Sequence, residues 1–373
     1  MERDQTHDEE GAASMDSEEQ HELAMDRRSV LKRVGLGAAA LSVPTAVMAS
    51  PAMGAVTGAL EADSFIKSHP KWKFTFVNHV TTNPFFVPTI YGAQDACSLL
   101  GCSYQWTGST TSDVSQMVNA FNSAISAKVA GISCCLVDLK AFNAPTAAAE
   151  AKGIPVLAYN ADGARAGTKA RMAYIGQALY ESGFAMGQRI ASLVPKGDVA
   201  LFIATPGALN IQPRIDGAVA AIKKFGAGKI KTSAIATGSQ LNDEIAKINA
   251  YYLGHKNLAG MFAVDAGDTQ GIGQIIQKHS LKGKVKGGGY DLLPGTLKLI
   301  DQGFLDFTID QQPYLQGFQP VIQLFLFKLS GGLQAPSDTN TGLLFVTKSN
   351  VKPYLTTKTR YEGSSSSQKY PVS

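Results

Sequence analysis

Charge and sulfur are both scarce in this chain of 373 residues: charged side chains make up 17%, and there are four cysteines, two tryptophans and six histidines. No C-x-x-C pair occurs and the histidines do not cluster, so the usual sequence signs of a metal centre are missing. No G-x-S-x-G elbow, Walker loop or H-E-x-x-H helix is present, and with them go three common routes to hydrolase or nucleotide chemistry. No strongly basic face stands out, which argues against a nucleic-acid partner. The one extended apolar run, 34–49, is about 16 residues long and contains Pro44. It is too short and too broken to span a bilayer.

What stands ahead of that run is informative. Residues 1–26 are polar and acidic without apolar periodicity, and disorder is expected there. Arg27-Arg28 followed by Leu31, Lys32 and the short apolar run resembles a twin-arginine export signal. Asp26 and Val30 replace the residues usual at their places in that pattern. Small residues at Val47-Met48-Ala49 or Met53-Gly54-Ala55 offer cleavage sites. Residues 1–49 are therefore read as an export signal with a disordered leader, and no membrane span is expected in the mature chain. Gly35-Leu36-Gly37-Ala38-Ala39-Ala40 imitates a dinucleotide fingerprint, but no strand precedes it. An exported chain could form disulfides. Cys97 and Cys102 flank a helix-to-strand turn, which makes a pair between them the alternative, while Cys134-Cys135 lies in an apolar strand; buried free thiols are the preferred reading.

From Lys71 onward, short apolar runs alternate with longer amphipathic ones. Strands are predicted at 73–80, 102–106, 131–137 and 154–159, with helices at 84–100, 113–128 and 141–152. Asparagine at 83 ahead of Pro84 and asparagine-like Asp113 ahead of a helical repeat are helix starts. Strands apolar on both faces belong in a parallel sheet covered by helices. The pattern then restarts, with strands near 172–176, 198–204, 230–236, 260–264 and 285–290 and helices between them. A strand at 305–310, a helix at 313–330 closed by Gly331-Gly332, and a late strand at 342–348 complete it. Two doubly wound α/β domains with a cleft between them are expected. The polar tail from Thr356, with its serine run at 364–367, is read as disordered.

Polar and aromatic residues collect where these strands end. They are Asn83, Phe85 and Phe86; Asn160 and Asp162; Arg214; Asp265; Tyr290 and Asp291; and Gln311. Carboxylates and amides suit hydroxyls, arginine supplies a planar fork, and aromatic faces cover the C–H faces of a sugar ring. Strand carboxyl ends are where open α/β sheets take ligands. Any one aspartate, Asp268 for instance, is more often a helix cap; the set points to a polyhydroxylated ligand.

Thr82-Asn83-Pro84-Phe85-Phe86, Ile154-Pro155-Val156, Arg214-Ile215-Asp216-Gly217, Gly289-Tyr290-Asp291 and Asp310-Gln311-Gln312-Pro313 together resemble the type I periplasmic-binding-protein family, in particular its ribose-type monosaccharide and polyol receptors. The resemblance spans roughly 72–350. It implies two similar doubly wound parallel-sheet domains joined by a three-stranded hinge: 72–174 plus 312–339, and 175–311 plus 340–355, with 356–373 a disordered tail. It implies a monomeric receptor that captures a sugar or sugar alcohol outside the membrane and delivers it to the permease and ATPase of an ABC importer, without a cofactor or catalysis. Asn83, Phe85, Phe86, Arg214, Tyr290, Asp291 and Gln311 fall on the family's ligand positions. Asn160-Ala161 replaces an Asp-Arg pair and Asp265-Ala266 replaces Asn-Asp, which leaves a pentose other than ribose, a deoxysugar and a linear alditol open. A chemoreceptor-type binding protein and an exported enzyme on the same scaffold are the alternatives.

Overall fold

The computed structural model describes residues 69–138, 140–162 and 171–366. The acidic leader, Arg27, Arg28 and the export segment lie outside the described residues, as do 367–373.

The first α/β unit runs β1 Lys73–Asn78, a 3-10 turn at Pro84–Phe86, α1 Val87–Leu100, β2 Ser103–Gly108, α2 Val114–Ser126, β3 Gly131–Cys134, α3 Asn143–Glu150, β4 Val156–Tyr159 and β5 Ala173–Gly176. The second runs α4 Leu179–Leu193, β6 Gly197–Ile203, α5 Gln212–Phe225, β7 Ile230–Ala236, α6 Leu241–Gly254, β8 Leu258–Ala263, α7 Ala266–Lys278, β9 Lys286–Tyr290, α8 Pro294–Asp301 and β10 Phe307–Asp310. Then follow α9 Pro313–Leu329, β11 Thr339–Asn340, β12 Leu344–Val346 and α10 Lys352–Thr356.

Two six-stranded sheets result, in the orders β11-β5-β4-β3-β1-β2 and β12-β10-β9-β8-β6-β7. Every pairing is parallel except that of β12 with β10. The central strands β3, β4, β5 and β10 are buried at every residue, as a sheet covered on both faces requires. The edge strand β7 is largely exposed on one face. The chain passes between the sheets after Gly176, after Asp310 and between Asn340 and Leu344. Ile175 and Gly176 thus belong to β5 of the first sheet, two residues past the expected boundary, and Asn340 pairs there too.

Local starts explain the geometry near the cleft. Asn83 Oδ1 accepts from the Phe85 amide at 2.9 Å and Pro84 fills the first position, so the turn that leads into α1 is fixed by its own sequence. The expected single helix at 84–100 is this 3-10 turn followed by α1. Asp113 caps α2 through the Ser115 and Gln116 amides at 2.8 and 3.2 Å. Gly331, at φ 64°, ends α9 in the left-handed conformation.

The tail corrects the sequence reading. Thr359 and Arg360 are buried, and the Arg360 guanidinium meets Asp95 on α1 at 2.7 and 3.0 Å while lying 4.2 Å over the Tyr91 ring. Residues 357–366 are therefore packed on the first unit, because one arginine finds a carboxylate and an aromatic face there. The four cysteines are free; Cys97, Cys134 and Cys135 are buried.

Candidate ligand-binding cleft

The carboxyl ends of the two sheets face one another, and the residues expected to bind ligand mostly meet there. Asn83, Phe85, Phe86, Asn160, Arg214, Asp265, Asp291 and Gln311 line one small cavity of about 40 Å³, together with His79, Asn210, Ile211 and Ala266. The first unit supplies the apolar wall. Phe86 meets Phe85 edge to face with centroids 4.7 Å apart, and His79 likewise at 5.3 Å. His79 is buried, and desolvation lowers its pKa to about 4, so the ring is neutral. Its Nε2 lies 3.2 Å from the Asn210 amide nitrogen of the opposite unit. Accepting that donor places the ring proton on Nδ1, which has no partner. A second link across the cleft is the Leu209 amide donating to the Val137 carbonyl at 3.1 Å.

The second unit supplies the charge. Arg214, on α5 and 2% exposed, donates from Nη1 to the Val264 carbonyl at 2.9 Å and from Nη2 to Gln177 Oε1 at 3.1 Å. Its guanidinium lies 4.1 Å over the Tyr290 ring, and Nε is left without a partner. A buried cation this well held gives up little further freedom when a ligand arrives. Asp265 caps α7, accepting from the Asp268 amide at 2.9 Å and from the Ala204 amide at 3.0 Å. Asp291 stands just past β9 with φ 77°, a strained conformation for a non-glycine residue that turns it back toward the cleft. Burial pushes its pKa up to about 7, against the opposing pull of Arg214 and Gln311.

A relay of amides ties this carboxyl to the first unit. Asn160 Nδ2 donates to Gln316 Oε1 at 3.1 Å, Gln316 Nε2 to Gln311 Oε1 at 3.1 Å, and Gln311 Nε2 to Asp291 Oδ1 at 2.7 Å. Each amide is both donor and acceptor, so the bonds polarise one another in one direction, toward the carboxylate.

Two expected residues are elsewhere. Tyr290 does not line the cavity: it forms the shelf beneath Arg214, and its hydroxyl donates to Ser182 Oγ at 3.0 Å. Residues 290 and 291 straddle a strand end and point apart. Asp162 lies outside the cavity because Arg171 captures it at 2.6 Å and bridges it to Asp338 at 2.7 Å. Sequence reading left out His79, Asn210, Gln177 and Gln316 as ligand residues. Asn210 sits in the turn that leads into α5 and Gln316 inside an apolar helix, so neither carried a positional signal.

The unpartnered Nδ1 of His79, Oδ1 of Asn210 and Nε of Arg214 are buried polar atoms on the cavity's own residues. Such atoms are costly unless a hydrogen-bonding ligand engages them. They line the cavity together with Asp291, Gln311 and the two phenylalanines, a lining suited to hydroxyls as well as C–H groups.

Comparison with known proteins agrees with this geometry. The periplasmic binding protein domain matches residues 74–326. The xylose/arabinose-binding protein XylF of Sulfolobus acidocaldarius is 50% identical over 317 residues, 82% of this chain and 78% of that protein. An ABC transporter solute-binding protein from Burkholderia graminis C4D1M, solved in complex with D-arabinose, is 28% identical with a TM-score of 0.70, covering 76% of this chain and 97% of that one. A carbohydrate transporter solute-binding protein from Agrobacterium radiobacter, also in complex with D-arabinose, shares the fold at 23% identity and TM-score 0.70, over 76% of this chain and 97% of that one. Fold, cleft and sequence converge, and this chain belongs to the periplasmic binding protein family.

Proposed function

We propose that this protein captures a pentose in the cleft between its two α/β units and delivers it to an ABC importer. The observation that carries this is the pairing of one buried cation, Arg214, and one buried carboxyl, Asp291, with the Phe85–Phe86 wall around one cavity. The half-identical relative named for xylose and arabinose supports the ligand class. In this reading Asn83, Phe85, Phe86, Asn160, Arg214, Asp265, Asp291 and Gln311 contact the sugar, while Tyr290 holds Arg214 in place. The units close on the sugar by bending where the chain crosses after Gly176, after Asp310 and before Leu344; three parallel crossings permit a bend rather than free tumbling. Binding is reversible and the sugar leaves unchanged. The receptor acts as a monomer beside its permease and ATPase.

Export is assigned to Arg27-Arg28, and replacing both with lysine is expected to leave precursor in the cytoplasm; normal secretion of that variant would overturn the assignment. Thermal-shift screening of the mature protein against pentoses, hexoses, deoxysugars and alditols tests the ligand. A cognate pentose at 1,000 times its dissociation constant adds about 4 kcal/mol of stability. A larger shift with a hexose or an alditol would move the assignment to that class.

A further inference from the structure

Beside the sugar cavity, and sharing Asp265 with it, lies a second group of polar residues. Glu244 on α6, Asp265 at the cap of α7 and Asp268 in its first turn each place a carboxylate oxygen within 4.8 Å of the others. Exposed acidic clusters are ordinary, but Glu244 is 4% exposed and Asp268 is fully buried. Thr237 Oγ1 donates to Asp268 Oδ2 at 2.8 Å, while Asp268 Oδ1 has no partner. Independently of the carboxylates, the buried Asn210 Oδ1 is also unpartnered, and Asn210 lines the same small cavity as Glu244 and Asp265. The backbone is shaped to admit the glutamate: a Cβ at Gly267 would lie 1.7 Å from Glu244 Oε2, so only glycine lets that carboxylate rest against the first turn of α7.

We propose that Glu244, Asp265 and Asp268 form a site for one hard divalent cation, calcium in size, in the side wall of the sugar cavity. The donors are all oxygen, with no imidazole or thiolate among them, which selects against zinc and copper. Three oxygens that all lie within 4.8 Å of one another leave an ion centred among them no more than about 2.8 Å from each. That admits the roughly 2.3–2.6 Å and flexible geometry of calcium, whereas magnesium demands about 2.0–2.1 Å in a rigid octahedron. Asn210 lines the same cavity with its Oδ1 unpartnered and can add a neutral ligand. Asp265 belongs to both sites, so the cation and the sugar are coupled through it, and the factor by which one changes the other's affinity is reciprocal.

The site can be tested without any sugar. The chelator-stripped mature chain is titrated with calcium by calorimetry and with terbium by luminescence, beside Glu244→Gln. The site predicts one cation per chain, at least tenfold weaker binding by the variant, and poor competition by magnesium. No binding up to about 10 mM calcium, tenfold beyond the roughly 1 mM weak end of extracellular sites, would overturn it. Equal affinity in parent and variant would overturn it as well. Should Glu244→Gln fail to fold, Asp268→Asn and displacement of terbium by calcium from the parent give the same decision. Pentose affinity measured in calcium and in chelator then tests the coupling: a threefold or greater difference is expected, and equal affinities would contradict it. Cation binding without any pentose binding would leave this site standing and remove the pentose assignment instead.

Discussion

The two α/β units are built alike and furnish the cleft differently. Each holds a pair of helices at backbone contact through two glycines. In the first, a Cβ at Gly92 would lie 2.1 Å from the Tyr314 carbonyl oxygen and one at Gly317 1.8 Å from that of Thr89, so α1 and α9 touch. In the second, a Cβ at Gly183 would lie 2.2 Å from the Arg214 carbonyl oxygen and one at Gly217 2.2 Å from that of Tyr180, so α4 and α5 touch. The same device carries opposite contents. The first unit delivers rings and amides, Phe85, Phe86, His79 and Asn160, whereas the second delivers the ionisable groups, Arg214, Asp265 and Asp291. The difference teaches where cost falls. Rings bury at a gain, but each buried charge needs prior partners, and Arg214 has Val264, Gln177 and Tyr290 already in place. Shape therefore comes from one side and polarity from the other.

The contrast can be broken at each wall, beginning with the largest effect. Phe86 is 1% exposed and packs on Phe85, His79 and Trp106. Phe86→Ala is expected to lower stability by about 3–5 kcal/mol, but to weaken sugar binding by only about 1–3 kcal/mol, since stacking and buried area alone are lost. Denaturant unfolding and calorimetry on one preparation separate the two. A loss of binding larger than the loss of stability would refute the division between shape and charge.

On the charged side, pH is the probe. Asp291 moves from an ordinary carboxyl value of 3.8 to about 7, with desolvation opposing Arg214 and Gln311, and with Asp265 and Asp310 adding repulsion. The folded protein then holds more protons than the unfolded chain between those values, so stability falls as pH rises through that window and the cost is complete above it. At about 1.4 kcal/mol per unit this is on the order of 4 kcal/mol. Asp310, raised to about 6 by burial, acts in the same direction. Unfolding curves of the sugar-free protein from pH 4 to 8 check this, and Asp291→Asn should make them less steep, with the slope from Asp310, Glu244, Asp265 and Asp268, whose carboxyls burial also raises, remaining. A parent whose stability rises over that interval would contradict the assignment.

The paired glycines give the smallest and sharpest comparison. Gly183→Ala and Gly92→Ala should each destabilise by about 1–3 kcal/mol through overpacking. Gly183 touches the backbone of Arg214 itself, so its variant should also weaken sugar binding several-fold, while the Gly92 variant should bind nearly as the parent does. Equal binding losses would mean that helix spacing, not the position of the arginine, matters.

How much of this was legible in the sequence depends on the range of the interaction involved. The alternation of strands and helices is local, and so are the Asn83 and Asp113 caps; both were readable. Phe85, Phe86, Arg214 and Asp291 carry motifs at strand ends, and they do meet in one cavity. What escaped is set by remote partners. Arg171 draws Asp162 out of the cleft with help from Asp338, more than 160 positions away. Arg360 orders the tail against Asp95, 265 positions earlier, where serine-rich composition signals only disorder. β11 is two residues long and polar, with no periodicity to read. Gln316 passes as a helix residue until the relay from Asn160 to Asp291 gives it a role.

The most direct test of the central claim is a calorimetric titration of the mature protein and of Arg214→Ala with xylose and with arabinose. Removing the one arginine of the cavity should cost about 2–5 kcal/mol of binding, much of it from stranding Asp291, which is a loss of roughly 30-fold or more. The account predicts one pentose per parent chain and that loss in the variant. No pentose binding by the parent, or binding by Arg214→Ala within about threefold of it, would contradict the cleft and the ligand together.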